Sequence, residues 1–400
     1  MKKFWSAAFG ILFTVSLLGA FWPYTARVVT GGPASSADIA WMLTATGLVL
    51  LMTPGLSYFY GGMVSSKNVI STMLQSFIAM GVISILWVVF GFSLAFGDSI
   101  GGIIGNPFTY FMFNGVGSET HPALSPTIPL MLFAMFQLKF AIITPALITG
   151  SFAERVKFSS YLLFIVLFSI FIYAPLAHMT WHSDGLLRKM GVLDFAGGTV
   201  VHMSAGFAAL AGAIILGRRK SHLHNEKHEP ANIPYVLLGT GLLWFGWFGF
   251  NAGSALAANA TAVLAFATTN TASAAAAIAW IFFDAMRGKK PSALGAAVGA
   301  VVGLVAITPG AGYVNIGQSI FIGTVASLVS NMAVNWKAKS TIDDTLDVFP
   351  CHGLGGMVGM FFTGVFANGV GLIYGTTNTF LIHIAALIGV SIFSLGGSFI

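Results

Sequence analysis

Apolar residues fill this chain in long uninterrupted runs, not in the alternation of a strand or the narrow stripe of a soluble helix. About 20 apolar residues in a helix cross the roughly 30 Å hydrocarbon core of a bilayer. The pattern predicts eleven such helices, over 38–63, 68–97, 127–152, 158–181, 195–217, 233–255, 262–286, 294–309, 315–336, 349–371 and 377–400. Ahead of them, Met1-Lys2-Lys3 opens an apolar run that reaches Trp22. A charged start and a hydrophobic stretch read as a signal peptide or signal anchor over 1–26. Ala26 suits a cleavage site, whereas Tyr24 two positions earlier is not small, so both alternatives stay open. The membrane domain is placed at 38–400.

Composition agrees with this class. Only 8% of residues are charged, against about 25% in soluble domains, too few to keep a water-facing surface in solution. The 48 glycines suit helices that approach closely in lipid. Cys351 is the single cysteine, which excludes an intrachain disulfide and a cysteine-based metal cluster. The net charge of +6 does not indicate nucleic acid, because the charges are scattered through short loops and form no single patch. They follow topology instead. With the start of the 38–63 helix outside, the inside loops carry Lys67, Arg155, Lys157, Arg218, Arg219, Lys220, Lys227, Arg287, Lys289, Lys290, Lys337 and Lys339. The outside loops between helices carry only Arg188 and Lys189, a clear positive-inside bias that places the C-terminus on the cytoplasmic side of an inner membrane. The last helix runs to Ile400, which raises the expectation of a longer chain with a cytoplasmic tail or domain beyond it.

Helices one to five and six to ten form two halves of opposite orientation, as in transporters built from inverted repeats. His202 lies in the fifth helix, eight residues after Asp194; His352 opens the tenth, five residues after Asp347. Ionisable groups within spans are costly and mark functional paths. Two histidines from related halves therefore read as a shared pore lining, without a third ligand at metal spacing. Neutral imidazoles can pair as donor and acceptor, and they titrate near neutral pH. Asp194 reads first as the cap of its helix. The stretch His222-Leu223-His224-Asn225-Glu226-Lys227-His228 reads as a solvated loop. Phe136 and Phe140 share a helix face, and Trp181 ends the fourth helix at the outer side, where aromatic rings can hold a small cation.

These residues sit in motifs that together resemble the ammonium transporter (Amt/Mep/Rh) family, above all its bacterial Amt branch, over 38–400. The motifs are collinear: Pro54 to Gly62 with Lys67-Asn68-Val69, Phe136-Gln137 with Phe140 and Ala153-Glu154-Arg155, Ala177 to Trp181, Asp194 to His202, Trp247 to Ser254, and Asp343 to Gly353. The resemblance implies an all-α polytopic fold of eleven transmembrane helices with an inverted five-helix repeat, assembled as a homotrimer, which conducts ammonium or ammonia without a cofactor and is not an enzyme. It implies ammonium binding by Phe140, Trp181 and Ser254 with Phe136 beside them, a gate of Phe140 and Phe250, a twin-histidine pore of His202 and His352, and support of the outer site by Asp194. It also implies a PII-type regulator as partner. A second reading is an ammonium sensor coupled to a cytoplasmic signalling domain. Three features depart from the family pattern: Lys139 beside the gate, Pro350-Cys351 before His352, and a charged outer loop with His182, Asp184, Arg188 and Lys189.

Overall fold

The computed structural model describes residues 2–23, 31–224 and 229–400. Tyr24, Ala26 and Arg27, which bear on the cleavage site, and 225–228 of the histidine-rich stretch lie outside the described residues. Twelve helices carry the fold: α1 (Lys2–Phe21), α2 (Ser36–Met63), α3 (Ser66–Phe96), α4 (Leu130–Phe152), α5 (158–181), α6 (Gly198–Leu216), α7 (Ile233–Gly253), α8 (Ala260–Met286), α9 (Ala293–Ile307), α10 (Ile316–Lys337), α11 (Phe349–Phe366) and α12 (Thr377–Phe399). The eleven expected spans correspond to α2–α12, and α1 is the signal-like segment. All of them but α9 are long and apolar enough to cross a bilayer. With 15 residues, α9 reaches only about 22 Å at 1.5 Å per residue. It is buried along most of its length between α8 and α10.

Helix starts follow polar caps in the sequence. The Ser35, Asn232, Asn259, Ser292 and Asn315 side chains each accept a backbone N–H of the first turn. The loop between α3 and α4 departs from an all-helical reading. It holds two antiparallel hairpins, Ser99–Ile100 with Ile104–Gly105 and Thr120–His121 with Ser125–Pro129. The second hairpin takes residues 127–129 away from the expected third span, which begins instead at Leu130.

The two halves meet through equivalent helices. α2 packs along α7, and α6 crosses the start of α11. At that crossing a Cβ on Gly206 would lie 2.2 Å from the Gly353 amide nitrogen, so only glycine permits the approach. Lipid-facing side chains such as Leu43, Phe77, Phe171, Val263 and Ile392 are exposed around the rim, while one apolar core runs through the centre. α1 stands outside this core. Trp5 packs on Phe158 and Trp22 on Phe111, and most of the helix is exposed.

One end of the bundle is tied by a buried ionic network. Arg219 pairs with Glu154 at 2.9 Å and with Asp343 at 3.0 Å, joining the ends of α4 and α6 to the loop before α11. The Glu154 carboxylate also accepts the Ser65 amide and hydroxyl, which adds the α2–α3 turn. Glu154 and Asp347 both hold left-handed backbone, with φ of 71° and 58°, and each is fixed by an ion pair, Asp347 with Lys337 at 2.6 Å. Burial pushes the Glu154 carboxyl up, but Ser65, Asn68 and Arg219 overcome it and hold the group at about 2. A carboxyl depressed in the folded state stabilises above its unfolded value near 4.5, and that stability is lost as pH falls through about 2. Glu154→Gln is therefore expected to lower the melting temperature at pH 7. The gap to the unmodified protein should narrow as the pH is lowered from about 4.5; an equal gap at every pH would show that the carboxylate charge is not what stabilises this junction.

Candidate functional site

At the opposite end of the bundle, a cavity of about 310 Å³ opens between α4, the end of α5, and the segments that precede α6 and follow α7. Phe140, Trp181, Ser254, Asp194, Gln137, Arg188 and Tyr313 are among its lining residues. Trp181 stays there because its indole N–H donates to the Asp194 carbonyl at 3.2 Å. Its ring meets Phe140 edge-on, with centroids 5.9 Å apart. The Ser254 hydroxyl donates to the Phe250 carbonyl at 2.9 Å, which leaves its oxygen free to accept from a guest. The cavity thus offers π faces and a hydroxyl acceptor, the groups that suit a small cation bearing N–H donors.

Below the cavity the path is closed by rings. Phe140 and Phe250 stack at 4.2 Å with 30° between their planes. Phe250 lies 6.0 Å from the His202 ring, and His202 lies 5.4 Å from His352. The two histidines face each other through Nδ1 atoms 3.3 Å apart. One imidazole donates there and the other accepts. Both are almost fully buried. Trp247 stacks against the side of His202 at 5.3 Å and is itself held by its N–H on the Thr308 hydroxyl. The result is one file from Trp181 through Phe140 and Phe250 to His202 and His352.

The chain delivers the two histidines by the same local device. Asp194 accepts the amides of Gly197, Gly198 and Thr199 at 2.7–2.8 Å and the Thr199 hydroxyl at 2.5 Å. α6 then starts with a wide π-turn, Gly198–Met203, that carries His202. In the other half Asp344 accepts the Phe349 amide at 2.7 Å, and α11 starts with the π-turn Phe349–Gly353 that carries His352. Each acid caps the amide five residues ahead and precedes its histidine by eight. The matching acid is therefore Asp344 rather than Asp347, which pairs with Lys337. The repeated spacing of eight was the signal for it.

Phe140, Trp181, Ser254, Phe250, His202 and His352 come together in one file. Phe136 does not line the cavity; it is fully buried behind Phe140, 4.9 Å away, and against Gly253. The Asp194 carboxylate is occupied by its four donors, so it shapes the site and is not presented bare to a cation. Lys139 is buried and is not among the residues that line this cavity. Pro350 and Cys351 fall inside the π-turn, and the Pro350 carbonyl accepts the Ser330 hydroxyl at 2.8 Å. Of the charged loop after α5, Arg188 reaches the cavity rim, while His182, Asp184 and Lys189 line a separate cavity beside it. Trp247, Gln137 and Tyr313 also border the path; the first two stand in sequence motifs but were given no role there, and Tyr313 was not named. Among the described residues no group of three or more His, Cys, Asp or Glu could hold a metal ion.

Comparison with known proteins places this geometry. The sequence model of the Ammonium Transporter Family matches residues 40–400. An ammonium transporter of Aquifex aeolicus is 49% identical over 370 residues, covering 90% of this chain and 85% of the relative. The crystal structure of Saccharomyces cerevisiae Mep2 superposes with a TM-score of 0.86 at 33% identity, covering 92% of this chain and 84% of that one. A structure named Sensor Amt Protein superposes with a TM-score of 0.82 at 28% identity, covering 91% of each chain. The file of aromatic rings and paired histidines thus stands in a membrane transporter scaffold, not an enzyme, and the chain belongs to the ammonium transporter family.

Proposed function

We propose that the chain moves ammonium across the cytoplasmic membrane by stripping it to ammonia, with the cavity at the Trp181 end facing out and the basic end facing the cytoplasm. Ammonium is recruited by Trp181, Phe140 and Ser254, loses one proton at the Phe140–Phe250 gate, and passes His202 and His352 as ammonia. The observation that carries this reading is the closed, apolar file that ends on two imidazoles in donor–acceptor contact. A potassium ion cannot shed its charge, and even relaxed burial of an ion costs several kcal/mol. Ammonia crosses neutral and can hydrogen-bond each imidazole in turn. The released proton follows by way of the His202 and His352 nitrogens and rejoins ammonia on the far side, so each cycle carries one positive charge.

The same reading takes Asp194 as support for the outer site, with Phe136 as backing to Phe140. Residues 1–26 act as signal peptide or anchor and 38–400 form the transport domain. The functional unit is a homotrimer with one path per subunit, and a PII-type protein is the expected regulator at the cytoplasmic end. A sensor role is the second reading, favoured only by the likeness to the Sensor Amt Protein.

The outer-site assignment is tested by Trp181→Leu. Removing a cation–π contact worth about 1–2 kcal/mol should raise the ammonium concentration for half-maximal current about tenfold, with the maximal current largely kept. An unchanged half-saturation would exclude Trp181 from recruitment.

A further inference from the structure

Beyond the file itself, one buried histidine is held in a way that neither packing nor conduction requires. His383 lies in α12 and is fully buried. Its Nδ1 is 2.8 Å from the Met360 carbonyl, so that nitrogen carries the hydrogen and donates. Its Nε2 accepts the Leu193 amide at 3.1 Å. The two contacts together fix a neutral imidazole in one tautomer. Gly364 lets the ring in, since a Cβ there would sit 2.9 Å from the His383 Cβ.

The two partners lie side by side next to the transport file. Leu193 immediately precedes Asp194. Met360 stands eight residues beyond His352 on α11. The main chain around Asp194 is tied on its other sides by Trp181, which donates to the Asp194 carbonyl, and by the Pro309 carbonyl, which accepts the Phe195 amide at 3.0 Å. His383 adds a long-range tie, across 190 positions of sequence.

We propose that His383 is a positioning residue: from the last helix it holds the Leu193 amide, and with it the Asp194 turn and Trp181, in register with the helix that carries His352. This rests on the outer-site reading given above. The role needs one donor and one acceptor on a neutral group of this reach. Gln provides both, Asn is one bond too short, and Leu provides neither.

The test is the ammonium concentration dependence of transport current in proteoliposomes made with the full chain and with His383→Gln, His383→Asn and His383→Leu, beside Trp181→Leu. His383→Leu is expected to raise half-saturation about tenfold, the effect of losing the ties on a buried amide and carbonyl, while the maximal current stays within about twofold. His383→Gln should restore the original half-saturation, a rescue that space-filling alone would not produce. If His383→Leu does not fold, His383→Asn against His383→Gln carries the same comparison between two amides. The original half-saturation in both Leu and Asn, or a fall in maximal current alone that is equal in Gln and Asn, overturns the proposal. If Trp181→Leu shifts half-saturation and the His383 variants do not, only this inference fails. If Trp181→Leu also leaves it unchanged, the outer-site reading fails with it.

Discussion

Replacing His202 by Asp together with His352 by Glu is expected to open the path to potassium. In the native file a bare cation meets stacked phenylalanines and then two buried imidazoles in contact with each other. Nothing there neutralises a permanent charge, and the desolvation cost is several kcal/mol per ion. In the proposed mechanism ammonium escapes that cost by leaving its proton; potassium has no such route. A carboxylate in each place supplies a counter-charge and draws water into the file, so the cost falls by an amount comparable to the barrier it replaces. A potassium gradient should then drive current through the double variant where the unmodified protein passes none. If the double variant still rejects potassium while ammonium current persists, the imidazoles are not the filter and selection resides higher, at the rings.

The second large effect is expected from Asp194→Ala. Its carboxylate satisfies three backbone amides and one hydroxyl at the start of α6. Charge-assisted bonds of this kind contribute about 1.5–3 kcal/mol each, though not additively. Alanine leaves the three amides of a buried helix start without the partner that satisfies them. The loss should be on the order of 3–6 kcal/mol, enough to lower the melting temperature of the purified protein markedly and to displace His202 from His352. Ammonium current should fall below detection. Asp194→Asn keeps one acceptor and should lie between. An alanine variant with unchanged melting and current would show that the cap is dispensable.

Much of this was legible in the chain because lipid imposes a simple rule. Every backbone polar group must be satisfied within the span, so long apolar runs become helices and loop charges report orientation. The spans α2–α12 follow, with small shifts at their ends. The third span begins late because 125–129 pairs as a strand, a choice made by its partner Thr120–His121 rather than by its own hydropathy. The site was legible where one helix carries it: Asp194 to His202, or Phe140 with its motif. Burial depth was not. Phe136 shares a face with Phe140, yet it stands behind it because Gly253 of α7 leaves space for its ring there. Asp344 was masked by the nearer Asp347, although the equal spacing from each acid to its histidine marks the pair. The tie from His383 to Leu193 has no local signal, since it depends on how the last helix closes against the fifth.

The most direct measurement is the current evoked by an ammonium pulse on a solid-supported membrane bearing proteoliposomes of the purified protein, compared with His202→Ala. The account predicts a saturable current in the native protein that is lost in the variant. A native protein that binds ammonium by calorimetry yet passes no current would contradict it and move the assignment to a sensor; an equal current in His202→Ala would remove the histidines from the path.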